Sequence, residues 1–171
     1  MATEMKLLEA RIERLEDIEA IRELRMLYHH YNNEGTYHRL EELYTDDAYI
    51  DFQPLGDARG RKAVGELLVG LTNTVVFIKQ FISSHMVKVD GDTATGISWL
   101  DARYSQDGKS IIAAVKYDDK YRRTPQGWKF SEMLVKIYFS VPVQQGWAAP
   151  PDKLHHFREG SPTSPTKVPG K

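Results

Sequence analysis

A chain of 171 residues is long enough for one domain with a real core and too short for two ordinary ones. Its 23 basic and 24 acidic side chains leave a formal charge of -1, which excludes the strong uniform field on which nucleic-acid and anionic-membrane binders rely. With no cysteine, disulfides, thiolate nucleophiles and cysteine metal sites are excluded too.

The first residues are charged and no apolar run approaches the ~18 residues of a membrane span. A cytoplasmic protein is expected, partnered by a small molecule or another copy of itself, with neither nucleic acid nor membrane. Met5, Leu8, Ile12, Leu15, Ile18, Ile21, Leu24, Tyr28 and Tyr31 recur at steps of three or four. That is the helical period, and it predicts one long helix with a single buried stripe, its first turns projecting beyond the domain body. Gly35 is a stop signal, and Thr36 to Tyr44 reads as a short helix packed by Tyr37, Leu40 and Leu43. Asp46 to Pro54 reads as a strand, and Gly60 to Leu71 returns to helical spacing through Val64, Leu67, Leu68 and Leu71.

Beyond that point the period becomes two. The stretch from Phe81 to Tyr104 is two strands hinged at Asp90-Gly91-Asp92; a third long strand follows Asp107-Gly108 and a fourth follows Pro125-Gln126-Gly127. Helices first and an antiparallel sheet afterwards indicate an α+β domain, a cone-shaped barrel in which a curved sheet wraps the helices. Residues 1–157 are expected to form this domain, and 158–171 have the composition of a flexible tail. The stretch from Ser140 to Phe157 is expected to cover a cavity mouth or a neighbouring subunit, because Trp147 and the prolines otherwise lack a place to pack.

Alternation places His85 on the more apolar face of its strand, together with Phe81, Val87 and Val89. An imidazole there can take a proton near neutral pH, or can simply be a core histidine with its nitrogens satisfied. Tyr28 lies on the buried stripe, where a phenol can pack or donate a proton to a leaving oxygen. Asn32 and Asn33 compete for the same wall, and either could cap the helix. His29 and His30 read as outer or interface residues, since adjacent histidines lack the i,i+3 or i,i+4 spacing of a helical metal pair; no metal site is expected. Asp119 is a carboxylate on the otherwise apolar face of Ile111, Ala113, Val115, Tyr117 and Tyr121, a candidate for a substrate contact at a cavity mouth or simply the point where that face meets water. Phe52, Leu55 and Phe81 are candidates for the lining of a cavity that holds a hydrophobic ring system. So are Trp99, Met133, Val135 and Ile137. Lys136 lies on the face opposite Val135 and Ile137 unless a bulge shifts the parity.

The segments Leu15 to Phe52, Gly60 to Leu68, Ser83 to Gly96 and Asp118 to Glu132 together resemble the SnoaL-like branch of the nuclear-transport-factor-2-like, ketosteroid-isomerase-like superfamily. The end of the chain is similar to that of the γ-hexachlorocyclohexane dehydrochlorinases, its first helix and "VKIY" to the bile acid 7α-dehydratases, and scytalone dehydratases are more distant. The resemblance implies a cofactor-free lyase, a homotrimer, and a hydrophobic cavity between helices and sheet. It implies catalytic roles for His85 as the base, for Tyr28, and for Lys136 at the position of an arginine; Asp101 falls near an acidic residue of the bile acid enzymes. The family aspartate that pairs with the histidine falls on Asn33, which supplies no charge; Asn33 is still expected on the active-site wall, holding the leaving oxygen together with Tyr28. The expected reaction is loss of water or of a small aldehyde such as formaldehyde from a ring-containing, lignin-derived aromatic or steroid-like substrate. The alternative is a non-catalytic ligand-binding module, or a protein like the β subunit of ring-hydroxylating dioxygenases.

Overall fold

The computed structural model describes residues 2–52, 54–73 and 75–147. Helix α1 (Ala2–Asn33) is followed by a 3-10 helix (Tyr37–Leu43), strand β1 (Tyr44–Asp51), strand β2 (Asp57–Arg59) and helix α2 (Arg61–Thr72). Four long strands complete the fold: β3 (Val75–Asp90), β4 (Thr93–Gln106), β5 (Lys109–Thr124) and β6 (Gly127–Pro142). They form one six-stranded sheet of order β2-β1-β6-β5-β4-β3, antiparallel except where β1 runs parallel to β6. The sheet is curved and unclosed, the helices fill its concave side, and the architecture is the expected α+β cone. The short β2 was not legible in the sequence, and β3 begins six residues before the run from Phe81. The expected tail, 158–171, and the end of the covering stretch, 148–157, lie outside the described residues. Within that stretch Trp147 stacks on Phe139, ring centroids 5.9 Å apart.

The strand links are local chemistry. Asp107 and Gly108 both take positive φ, 51° and 71°, which is the backbone of a two-residue type I′ hairpin that matches the twist of the flanking strands. Helix α1 is tied to the sheet by Asp17, whose carboxylate accepts from Arg123 Nη2 at 2.6 Å and from Trp128 Nε1 at 2.9 Å. Arg123 also reaches Asp92 at 3.0 Å and stacks over Trp128, so it is a clamp rather than part of a solvated edge.

The first turns of α1 project beyond the domain body, as expected: every side chain from residue 3 to 16 is exposed, on all faces of the helix, Met5, Leu8, Ile12 and Leu15 included. The buried stripe is therefore shorter than the apolar period and consists of Ile21, Leu24, Tyr28 and Tyr31, where α1 meets the sheet.

Bulges set which strand residues face inward; one lies at Ser131 on β6, where Glu132 pairs with Lys120 and Phe130 with Tyr121, and two more lie closer to the cavity residues. On β3, Ile82 pairs with Leu100 and Ser84 with Trp99, so Ser83 is the extra residue. On β6, Ile137 pairs with Val115 and Phe139 with Ala114, so Tyr138 is extra. A side chain's face alternates along a strand, and each extra residue reverses that alternation.

Candidate active site

Between α1, α2 and the concave face of β3 to β6 lies a cavity of about 490 Å³. Most of its wall is apolar: Phe52, Leu55, Leu68, Leu100, Val115 and Ile137 contribute. The polar side chains are Tyr28 and Asn32 from α1, Thr72 from α2, Gln80 from β3, Tyr104 and Gln106 from β4, Tyr117 from β5 and Ser140 from β6. Among the described residues none of the lining side chains is charged and none is a histidine. No group of three or more His, Asp or Glu side chains among them could hold a metal ion.

The floor is built on a buried cation. Tyr28 and Tyr117 meet edge to face with centroids 6.2 Å apart, and the guanidinium carbon of Arg25 lies 5.1 Å and 4.4 Å from their ring centroids. Arg25 is fully buried and paired with Asp119, which also accepts from Tyr121 Oη at 2.8 Å. Burial works against the Arg25 charge, but Asp119 outweighs it and holds the guanidinium cationic. Burial likewise pushes the Tyr28 phenol up to about 12, against the pull of Arg25, so it is a protonated donor at neutral pH.

His85 stands beyond this floor. Bulging at Ser83 keeps it on the inner face, but its partner is Tyr121, with Nε2 to Oη 3.0 Å, and it does not line the cavity. Gly96 makes room for the pair: a Cβ there would come within 2.7 Å of Nε2. Burial and then the charge of Arg25 lower its pKa to about 4. A chain of polar contacts thus runs from His85 through Tyr121 and Asp119 to Arg25 beneath the two phenols.

His29 is corrected from an outer residue to a buried one. It packs edge-on against Tyr28 and Tyr117, and its Nδ1 lies 2.8 Å from Gln80 Oε1. Burial and Arg25 lower its pKa to about 3. Asn33 is placed as a clamp: Nδ2 donates to the Gln80 carbonyl at 3.0 Å, and Oδ1 accepts from the Gln80 backbone N–H at 2.7 Å. Its neighbour Asn32 takes the place on the wall and donates to the Tyr28 carbonyl at 2.8 Å.

The remaining candidates divide by face. Phe52, Leu55 and Ile137 line the cavity; Met133 and Val135 are buried in the core behind it. Phe81 is corrected to the outer face, 53% exposed beneath Arg103, because the extra residue Ser83 separates its parity from that of His85. Trp99 and Asp101 also lie on the outer face, since their neighbours Ser98, Leu100 and Ala102 are the buried ones; Asp101 faces Arg103 at 3.7 Å. Lys136 pairs with Lys116 across the outer face and lies over Tyr138 at 5.2 Å; the bulge at Tyr138 comes two residues too late to turn it inward. Asp119 is under the floor rather than at a mouth. Arg25 was missed and His29 was placed outside, although both follow Ile21 at steps of four, the same period that marked the apolar stripe.

Comparisons with known proteins agree with this fold. An uncharacterized protein of Mycobacterium tuberculosis (strain ATCC 25618 / H37Rv) is 31% identical over 94 residues, which are 53% of this chain and 64% of that protein. The match therefore spans less than two thirds of the relative's length. The hexachlorocyclohexane dehydrochlorinase LinA-type3 from Novosphingobium barchaimii superposes with a TM-score of 0.71 at 21% identity, covering 78% of this chain and 94% of that one. An NTF2-like protein with a cystatin-like fold from Novosphingobium aromaticivorans superposes with a TM-score of 0.62 at 27% identity, covering 83% and 92%. The family model of the SnoaL-like domain matches residues 13–134, which contain most of α1, α2 and the sheet through the start of β6, and the chain belongs to that family.

Proposed function

We propose that the protein is a cofactor-independent lyase that holds a hydrophobic, ring-containing molecule in the cavity and eliminates water or a small aldehyde such as formaldehyde from it. The observation that carries this reading is the pair of phenols, Tyr28 and Tyr117, at the floor of an otherwise apolar cavity with the Arg25 cation against their rings. A protonated phenol there donates to a departing hydroxyl, and the cation favours the negative charge that develops on oxygen. Neither histidine is a strong base, at about 3 and about 4. The reading therefore favours substrates that expel their own leaving group, such as a phenolic ring that ionises and loses a benzylic hydroxyl. In this account His85 positions the floor through Tyr121 and Asp119, and Asn33 holds the helix end that carries Tyr28.

A non-catalytic ligand-binding role, like that of a dioxygenase β subunit, is the second reading, and the uncharged lining favours it. Mass spectrometry of purified protein incubated without added metal or cofactor separates the two. Hydroxylated steroids, chlorinated cyclohexanes and diaryl diols are the substrates to offer. Turnover of one class, reduced at least ~100-fold in Tyr28→Phe with binding retained, is the expected outcome. Tight binding of the same ligands by both proteins without any product would leave only the binding role.

A further inference from the structure

The cavity has a second polar end that the floor chemistry does not use. Tyr104 Oη lies 2.5 Å from Ser140 Oγ, and both residues line the cavity. The contact spans β5 diagonally: Tyr104 on β4 is paired with Ile111 and Ser140 on β6 with Ala113, whose small side chain leaves the tyrosine room to reach the serine. The extra residue Tyr138 makes the contact possible. Without it, Ser140 would share the parity of Lys136 and face outward; with it, Ser140 and Ile137 both face the cavity.

The floor and this hydroxyl pair are separated along the strands. Ser140 is level with Ala113 and the floor with Tyr117, four residues further along β5, a distance of ~13 Å at the strand rise. Between the two ends the wall is apolar, made by Leu100, Ala102, Ala113, Val115 and Ile137. The hydroxyl pair is half-buried, and a hydrogen bond between two such groups adds little to folding, since an apolar pair of the same shape does as well. It does have something to give a ligand. Two hydroxyls carry two protons and share only one between them, so one O–H remains free to donate and the lone pairs remain free to accept.

We propose that Tyr104 and Ser140 are a second ligand anchor, and that the molecule held is an elongated, two-ring hydrophobic compound with an oxygen function at each end. One oxygen is held by Tyr28 and Tyr117 at the floor, the other by the hydroxyl pair, and the apolar wall takes the rings between. This deepens the proposed function and rests on its reading of the cavity as the binding site, but it concerns binding and needs no turnover.

The test is direct binding, read by isothermal titration and by ligand fluorescence, with three probes. These are 4,4′-dihydroxystilbene, whose oxygens lie at opposite ends of a rigid two-ring frame; 4-hydroxystilbene, which keeps the frame and loses one oxygen; and 4,4′-biphenol, which keeps both oxygens on a shorter frame. The wild-type protein is expected to bind the first about tenfold more tightly than either of the others. In Tyr104→Phe with Ser140→Ala, the advantage over 4-hydroxystilbene should shrink to less than about twofold while the affinity for 4-hydroxystilbene stays unchanged. Ser140→Ala alone leaves the Tyr104 ring in place and gives the same reading should the double variant fold poorly. A double variant that keeps the full preference would overturn the anchor, and equal wild-type affinity for all three probes would overturn the two-ended ligand. Failure of every probe to bind would instead remove the cavity as a ring-binding site, and the proposed function with it.

Discussion

At the scale of single residues the structure turns on amides as much as on acids and bases. Asn33 both donates to the carbonyl and accepts from the N–H of Gln80, which a carboxylate cannot do. Asn33→Asp should therefore lower stability by ~1–3 kcal/mol in urea unfolding and should not raise activity, since it sets two oxygens against each other. His29 gives a pH signature. Its folded pKa of about 3 lies below its ordinary value, so its contribution is complete above pH ~6.5 and is lost as the pH falls towards the folded value. The slope is at most ~1.4 kcal/mol per pH unit. Unfolding free energies measured from pH 7 to 4 should fall more steeply for the wild type than for His29→Gln, which cannot titrate.

Among the elements, α1 and β3 show two ways in which an apolar pattern is left exposed. The apolar side chains at the start of α1 are exposed because that part of the helix extends beyond the sheet, and Phe81 points away from the cavity because an extra residue reverses the strand. Leu8→Gln and Phe81→Ser should both leave the unfolding midpoint of the domain within about 0.5 kcal/mol of wild type, and Phe81→Ser should leave ligand affinity unchanged. Ile21→Ala, on the half of the stripe that meets the sheet, should cost ~2–5 kcal/mol in the same measurement.

For the molecule as a whole, the Arg25–Asp119 pair is the point where α1, the cavity floor and the far end of the sheet meet. It joins residues 94 positions apart and carries the contacts to Tyr28, Tyr117, Phe130 and Tyr121. Arg25→Met leaves Asp119 buried and unpaired and should cost ~3–5 kcal/mol; adding Asp119→Leu should recover much of that loss, because the desolvation of both charges is then removed. Urea unfolding of the two variants beside wild type reads both numbers. The recovered double variant should still bind ligand more weakly, since the floor phenols lose their cation.

Period alone determined a good deal: the long helix, the second helix, the four long strands with their hairpins and the order of layers can all be read from apolar spacing and turn residues. Tyr28 and Ile137 were also legible as cavity wall from the period of their elements, while Phe52 and Leu55 line the cavity from the link between β1 and β2. What only the tertiary structure decided was phase. Whether Phe81 and Ser140 face in or out depends on single extra residues at Ser83 and Tyr138, and no spacing rule places a bulge before the partner strand is known. The same holds for Arg25 and His29. A sequence shows a charge and an imidazole on a helix, and only the fold brings the Asp119 and Gln80 that make burying them possible.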